Sequence, residues 1–199
     1  MRASDHTIQV IVDRPRSLRH EGAVCISLLY EGARIYSAMF LLENEACGNR
    51  MIIGGFQGSN STDAKETYVK LTRAFFGMRP RDLLVNIIKI VSASVGCKTI
   101  RGITSEYHRS KHALVRTLYH GDLPYDEIWT DHGGKPDGEG FIEFPAQIRL
   151  RSACEIPPNK RSQYRRRYEL LDELQEEISR VFALHQRSLV RYDWMGLGE

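Results

Sequence analysis

The chain has 199 residues, 42% of them hydrophobic and 27% charged. That fits one domain, or one domain with a helical appendage, and excludes a disordered tail, a collagenous repeat or a polar linker as the main object. Twenty-eight Lys and Arg against 25 Asp and Glu leave a net +3, a balance too small to mark a nucleic-acid binder.

The apolar run around Val10 is too short for a signal-peptide core, and no stretch nears the roughly 18 apolar residues of a membrane span. A cytoplasmic location is the expectation. Thr7 to Val12 alternates weakly and predicts a first strand, ended by the basic loop Arg14 to Arg19. From Val24 to Leu42 two β-rich apolar stretches flank Glu31 and Gly32, where glycine can take the positive φ of a tight hairpin. Arg50 to Gln57 predicts a third strand. Its Gly54 and Gly55 mark either a bulge or the close approach of something to the backbone.

The period then changes. Asp63 with Glu66 predicts a capped helix running to Gly77. Pro80 opens a second helix with Leu83, Leu84, Ile87, Ile88, Val91 and Val95 on one stripe, stopped by Gly96. Strand Lys98 to Thr104 completes a βαβ-like unit. Glu106 to Pro124 is polar and His-rich and reads as a helix or lid-like connection. Tyr125 to Asp131 and Phe141 to Leu150 read as two further strands, joined by the turn-rich Asp131 to Gly140. From Asn159 the pattern is helical, with Tyr164, Tyr168, Leu171, Leu174, Ile178 and Phe182 on one face. The predicted fold is α/β (α+β): a mixed, mainly antiparallel sheet with flanking helices in residues 1–156, and a long amphipathic helix, basic then acidic, in residues 157–199 packed on that core.

Four places carry candidate chemistry. The loop Phe75 to Asp82 delivers Gly77, Arg79 and Arg81 to the start of the strongest helix, where free N–H groups, the macrodipole and two guanidiniums attract phosphates, although Pro80 removes one donor. His108 and His112 stand four apart, the helical spacing of a metal pair, with no third ligand in view. His120 and His132 flank Tyr125 to Trp129, and on a strand Asp126 and Glu127 would point to opposite faces, one of them a candidate base. Lys160, Arg161, Arg165, Arg166 and Arg167, interleaved with Tyr164 and Tyr168, form the densest positive patch; it suits phosphates or an anionic surface, or else a solvated helix start paired with the acidic residues that follow. Cys25, Cys47, Cys97 and Cys154 lie too far apart for a zinc knuckle or a redox pair and read as reduced, mostly buried thiols.

Gly54 to Gly58 (GGFQG), Phe75 to Leu84 (FFGMRPRDLL), Tyr125 to Trp129 (YDEIW) with HGG after it, Gly140 to Pro145 (GFIEFP) and Glu155 to Leu174 occur in an order and spacing that resembles the VirK/YbjX family of bacterial proteins. Members are usually longer at the N-terminus, so the chain resembles their C-terminal two thirds. The resemblance implies a link, in some members, to virulence and to coping with envelope stress or antimicrobial peptides. The element order is also similar to that of the GCN5-related N-acyltransferases. That likeness implies phosphates of a thioester cofactor held by Gly77, Met78, Arg79 and Arg81, and a bulge at Gly54 and Gly55 opening the sheet for the pantetheine arm. An extra helix before the loop, and Gly-Met-Arg-Pro in place of Gly-x-Gly, depart from that pattern.

The expected activity is therefore transfer of an acyl group from a phosphate-bearing donor, acyl-CoA or another activated carrier, to an amine of a small molecule, lipid or peptide. Gly77, Met78, Arg79, Arg81, Arg161 and Arg165 would hold the donor, and Glu127, His108 and Tyr125 are the candidates for moving the proton. The alternative is a non-catalytic virulence or envelope-stress factor whose basic helix docks on anionic lipid or an acidic partner. Neither a metal nor a nucleic acid is expected.

Overall fold

Two left-handed residues, Glu31 (φ 52°) and Gly32 (φ 80°), turn the chain between its first two long central strands, the hairpin geometry whose twist matches the strands it joins. A computed structural model, which describes residues 2–3, 6–15, 21–45, 48–108 and 124–189, places these as β3 (Val24–Tyr30) and β4 (Ala33–Glu45). Before them come β1 (Arg2–Ala3) and β2 (His6–Asp13); after them β5 (Gly48–Gly58), α1 (Ala64–Ala74), α2 (Pro80–Ser94), β6 (Thr99–Ile103), α3 (Tyr125–Asp131), β7 (Lys135–Pro136), β8 (Phe141–Pro145) and α4 (Arg161–Leu189).

The strands lie in the spatial order β1-β2-β3-β4-β5-β6-β8-β7. Every neighbouring pair is antiparallel except β5 and β6. A parallel pair needs a crossover, and α1 with α2 supplies it. The fold is thus a mixed α/β one with a mainly antiparallel sheet and a long C-terminal helix.

The core follows from α2. Leu83, Leu84, Ile87, Ile88 and Val91 are buried as the stripe requires, but Asn86, Lys89 and Ser92 are buried too, because α2 packs on β3 to β6 on one side and on α4 on the other. Each buried polar group is met. Asn86 Nδ2 donates to Asp82 O (2.9 Å), Lys89 Nζ to His132 O (3.0 Å), and Ser92 Oγ sits 3.1 Å from Met51 Sδ. Leu170, Leu171 and Leu174 carry α4 into the same core.

Several elements differ from their sequence reading. Tyr125–Asp131 is a helix, not a strand: Tyr125, Ile128 and Trp129 are buried at i, i+3 and i+4, while Asp126 and Glu127 occupy the first turn, where carboxylates favour the dipole. Asp126 and Glu127 consequently do not alternate across a sheet. The strand from Phe141 ends at Pro145, which cannot donate to a ladder, rather than at Leu150. α1 begins at Ala64, and Asp63 makes no side-chain cap. Cys25 and Cys97 are buried free thiols, whereas Cys154 is exposed. The connection read over Glu106 to Pro124, with His112 and His120, falls largely outside the described residues, as does Cys47.

The glycine pair in β5 serves both purposes open to it. The β4–β5 register runs Met39↔Gly55 and then Phe40↔Ile53, so Gly54 is the bulged residue. The bulge lets Met51, Ile53 and Phe56 share the α2 face. It also admits Glu21: a Cβ on Gly54 would fall 2.2 Å from the Glu21 carbonyl oxygen, and one on Gly55 1.8 Å from Glu21 Oε2.

Candidate functional site

The two parallel strands pair only from Met51↔Ile100 to Ile53↔Gly102 and then part. Helix α3 fills the fork with two aromatic hydrogen-bonding groups. Trp129 Nε1 donates to Ile103 O at 2.9 Å on the β6 side. On the β5 side the Tyr125 hydroxyl donates to Phe56 O (2.8 Å) and accepts from Phe56 N (3.2 Å), taking the place of the missing strand partner.

Tyr125 is also stacked on the imidazole of His108, with ring centroids 4.6 Å apart and His108 Nε2 3.1 Å from the hydroxyl. The direction of this hydrogen bond follows the tautomer of the imidazole. Glu21 Oε1 lies 3.7 Å from the same nitrogen, within ion-pair reach when the imidazole is charged. All three side chains are buried. A carboxylate and a phenol thus converge on one imidazole nitrogen in a buried cluster. Of the candidate proton carriers, the structure brings His108 and Tyr125 together and leaves Glu127 exposed on another face of α3. Glu21 was not singled out from the sequence; the paired glycines announced an approach to the backbone but not what approaches.

The start of α2 is electrostatically occupied. Arg79 Nε donates to Asp82 Oδ2 (2.7 Å), Arg79 and Arg81 each reach Asp131 Oδ2 (3.3 and 3.4 Å), and Arg81 Nε lies 3.4 Å from Asp82 Oδ1. Asp82 also stands 3.8 Å from His132 Nε2. Two arginines and two carboxylates therefore satisfy one another, with Asp82 in the first helical turn where an external anion was expected. Gly77 takes φ +79°, and a Cβ there would lie 2.4 Å from Gln163 Nε2, so α4 closes over this loop; Met78 is buried.

Burial alone would raise the Asp82 carboxyl, but His132, Arg79 and the charge of Arg81 outweigh it and hold the group at about 2. A folded pKa below the unfolded one contributes stability that is present above about pH 4 and lost as pH falls towards 2. Thermal melts should show wild type losing more stability between pH 5 and pH 3 than Asp82→Asn, by about 1 kcal/mol. Equal acid limbs would refute the role given to Asp82.

Beside this cluster lies a cavity of about 740 Å³ between α2, the end of α3, the segment after β8 and α4. Gly77, Met78 and Arg79 line it. Arg161 and Arg165 do not: both are exposed, and Arg165 pairs with Glu169 at 3.9 Å. Their place is taken by Arg151 and Arg167. Lys89 forms part of the wall, and burial pulls its ammonium down to about 8. Among the described residues no group of three or more His, Cys, Asp or Glu is placed to hold a metal ion. No described helix is long and apolar enough to cross a membrane.

A family model described as "Protein of unknown function (DUF535)" matches residues 2–180. The chain belongs to this family. It is 29% identical over 158 residues to "Uncharacterized protein YbjX" of Escherichia coli, covering 76% of this chain and 46% of that protein, which makes the family the VirK/YbjX one. An uncharacterised protein of Haemophilus influenzae is 31% identical over 146 residues, covering 73% of this chain and 48% of its own length. The chain thus spans about half the length of the curated relatives it matches.

Proposed function

We propose that this DUF535 chain transfers an acyl group from a phosphate-bearing activated donor, a thioester or similar carrier, to an amine of a small molecule, lipid or peptide. The observation that carries the reading is the buried Glu21, His108, Tyr125 cluster at the fork between β5 and β6. In this reading the amine nitrogen attacks the acyl carbonyl; a C–N bond forms and the bond to the leaving sulfur breaks. His108 takes the proton released by the amine, Tyr125 returns one to the leaving thiolate, and Glu21 positions the imidazole. Support also comes from the single parallel pair in an otherwise antiparallel sheet, crossed over by α2, which suits the acyltransferase-like order read from the sequence. The role assigned to Glu127 passes to His108, since Glu127 is exposed and outside the cluster.

The test is amine-dependent release of free thiol from acyl-CoA and from an acyl carrier protein thioester. Release above the amine-free control is expected, falling by about 10²–10⁴-fold in His108→Gln. No amine dependence with either donor, or an unchanged rate in a folded His108→Gln, overturns the proposal. The rival reading rests on the exposure of Arg161, Arg165 and Arg166 at the start of α4. It requires binding to anionic vesicles that is lost when Arg165 and Arg166 are changed to Gln.

A further inference from the structure

The cavity beside α2 holds an electrostatic imbalance among the described residues. Of the cations on its wall, Arg79 is bound by Asp82 and Asp131, and Arg149 by Glu155 at 2.8 Å. Arg151 and Arg167 have no carboxylate within ion-pair distance among the described residues. Both lie over the ring of Tyr164, their guanidinium carbons 5.8 and 4.4 Å from its centroid. Arg151 is fixed further by its Nη1, which donates to the Tyr164 hydroxyl (3.2 Å), and its backbone N–H, which donates to the Tyr168 hydroxyl (2.9 Å). Arg167 is fixed by Nη2 donating to Phe76 O (3.0 Å), while its Nε is buried with no acceptor. A buried donor left unmet costs free energy, and so does holding two like charges against one ring without a counter-ion. An anion with several oxygens entering the cavity would supply the missing counter-charge.

We propose that Arg151 and Arg167 are the seat of a phosphate group on an organic ligand, with Tyr164 and Leu171 lining the space for its body. Guanidinium forks match the oxygens of a phosphate bidentately, and the cavity volume is that of an ordinary small-molecule site. The wall shared with a second cavity of about 690 Å³, made of Lys89, Ile148, Leu150 and Leu171, adds apolar surface next to the charge. The proposal deepens the acyl-transfer reading, on which the identity of the ligand as donor rests, and it moves the donor's phosphate from the mouth of α2 to the α4 wall. The two places are joined by α3: Tyr125 stands at the fork and Asp131 at the cavity, about 9 Å apart along the helix at its usual rise.

The probes are sodium pyrophosphate and dodecyl phosphate, with sodium chloride at matched ionic strength as control, read by calorimetry and by thermal shift on the whole chain. Wild type should bind pyrophosphate and melt higher in its presence, since a ligand of the folded state stabilises it. Arg151→Gln and Arg167→Gln should each weaken binding by about tenfold or more, the size of one lost charge-assisted contact, and Arg165→Gln should leave it unchanged. Tighter binding of dodecyl phosphate than of pyrophosphate supports the apolar wall. Absence of binding to either probe, or equal binding by both cavity variants and wild type, overturns the site. Phosphate binding without thiol release removes the enzyme reading and keeps the site; thiol release with an unchanged donor KM in Arg167→Gln does the reverse.

Discussion

Trp129→Ala is expected to cost about 3–5 kcal/mol of stability, the range for truncating a large buried aromatic side chain. For a chain of this length each kcal/mol lowers the melting temperature by roughly 2–4 °C, so a fall of about 10–15 °C should be seen by calorimetry. The reason lies in how many layers the indole joins. It is fully buried, stacked on Phe144 at 5.4 Å, edge-on to Phe56 at 5.6 Å, and hydrogen-bonded through Nε1 to Ile103 O. Gly102 lies directly beneath it: a Cβ there would fall 2.4 Å from the ring, so the strand and the indole are fitted to each other. Trp129→Phe keeps a ring but strips Ile103 O of its donor, and should cost about 1–3 kcal/mol. Because the same helix carries Tyr125, Trp129→Ala should also loosen the cluster at the fork. A melting temperature within about 3 °C of wild type would mean that α3 does not hold β6 and β8 in this way.

Legibility followed the range of the signal. The β3–β4 hairpin and α2 are written locally, in Glu31-Gly32 and in Pro80 followed by a clean apolar stripe, and they stand as read. α3 is ambiguous at short range: YDEIW alternates well enough for a strand, yet Tyr125, Ile128 and Trp129 also mark a helical face, and only their shared burial decides. Arg79 and Arg81 show the converse problem. Their sequence neighbour Asp82 was in view, but Asp131 reaches them from α3, and that long-range pairing turns a bare cationic helix start into a closed cluster. One available signal went unread. Tyr164, Arg167, Tyr168 and Leu171 share the apolar stripe of α4, so the period itself points Arg167 inward and leaves Arg165 outside, while Arg161 is exposed as the first residue of the helix.

If the chain transfers acyl groups as proposed above, Gly55→Ala should lower kcat for amine-dependent thiol release by about 10²-fold, the scale of loss when a positioned group is displaced by about an ångström, with little change in donor KM. The new methyl carbon would fall 1.8 Å from Glu21 Oε2, 2.7 Å from its carboxyl carbon and 2.9 Å from its Cβ, so the whole Glu21 side chain must shift, at some cost in melting temperature. Gly55 is not in the left-handed region, so alanine adopts its backbone without strain. The substitution therefore pushes the carboxylate away from His108 while leaving His108 and Tyr125 untouched. Gly54→Ala is the contrasting variant: its Cβ would meet the Glu21 carbonyl oxygen at 2.2 Å, a backbone atom that moves only with its segment, and the bulged strand should lose several °C of melting temperature with its activity. Glu21→Gln, which keeps the volume and removes the charge, should reproduce the kcat loss of Gly55→Ala. If both Gly55→Ala and Glu21→Gln retain wild-type kcat, the carboxylate merely packs against β5, and the cluster at the fork shrinks to His108 and Tyr125.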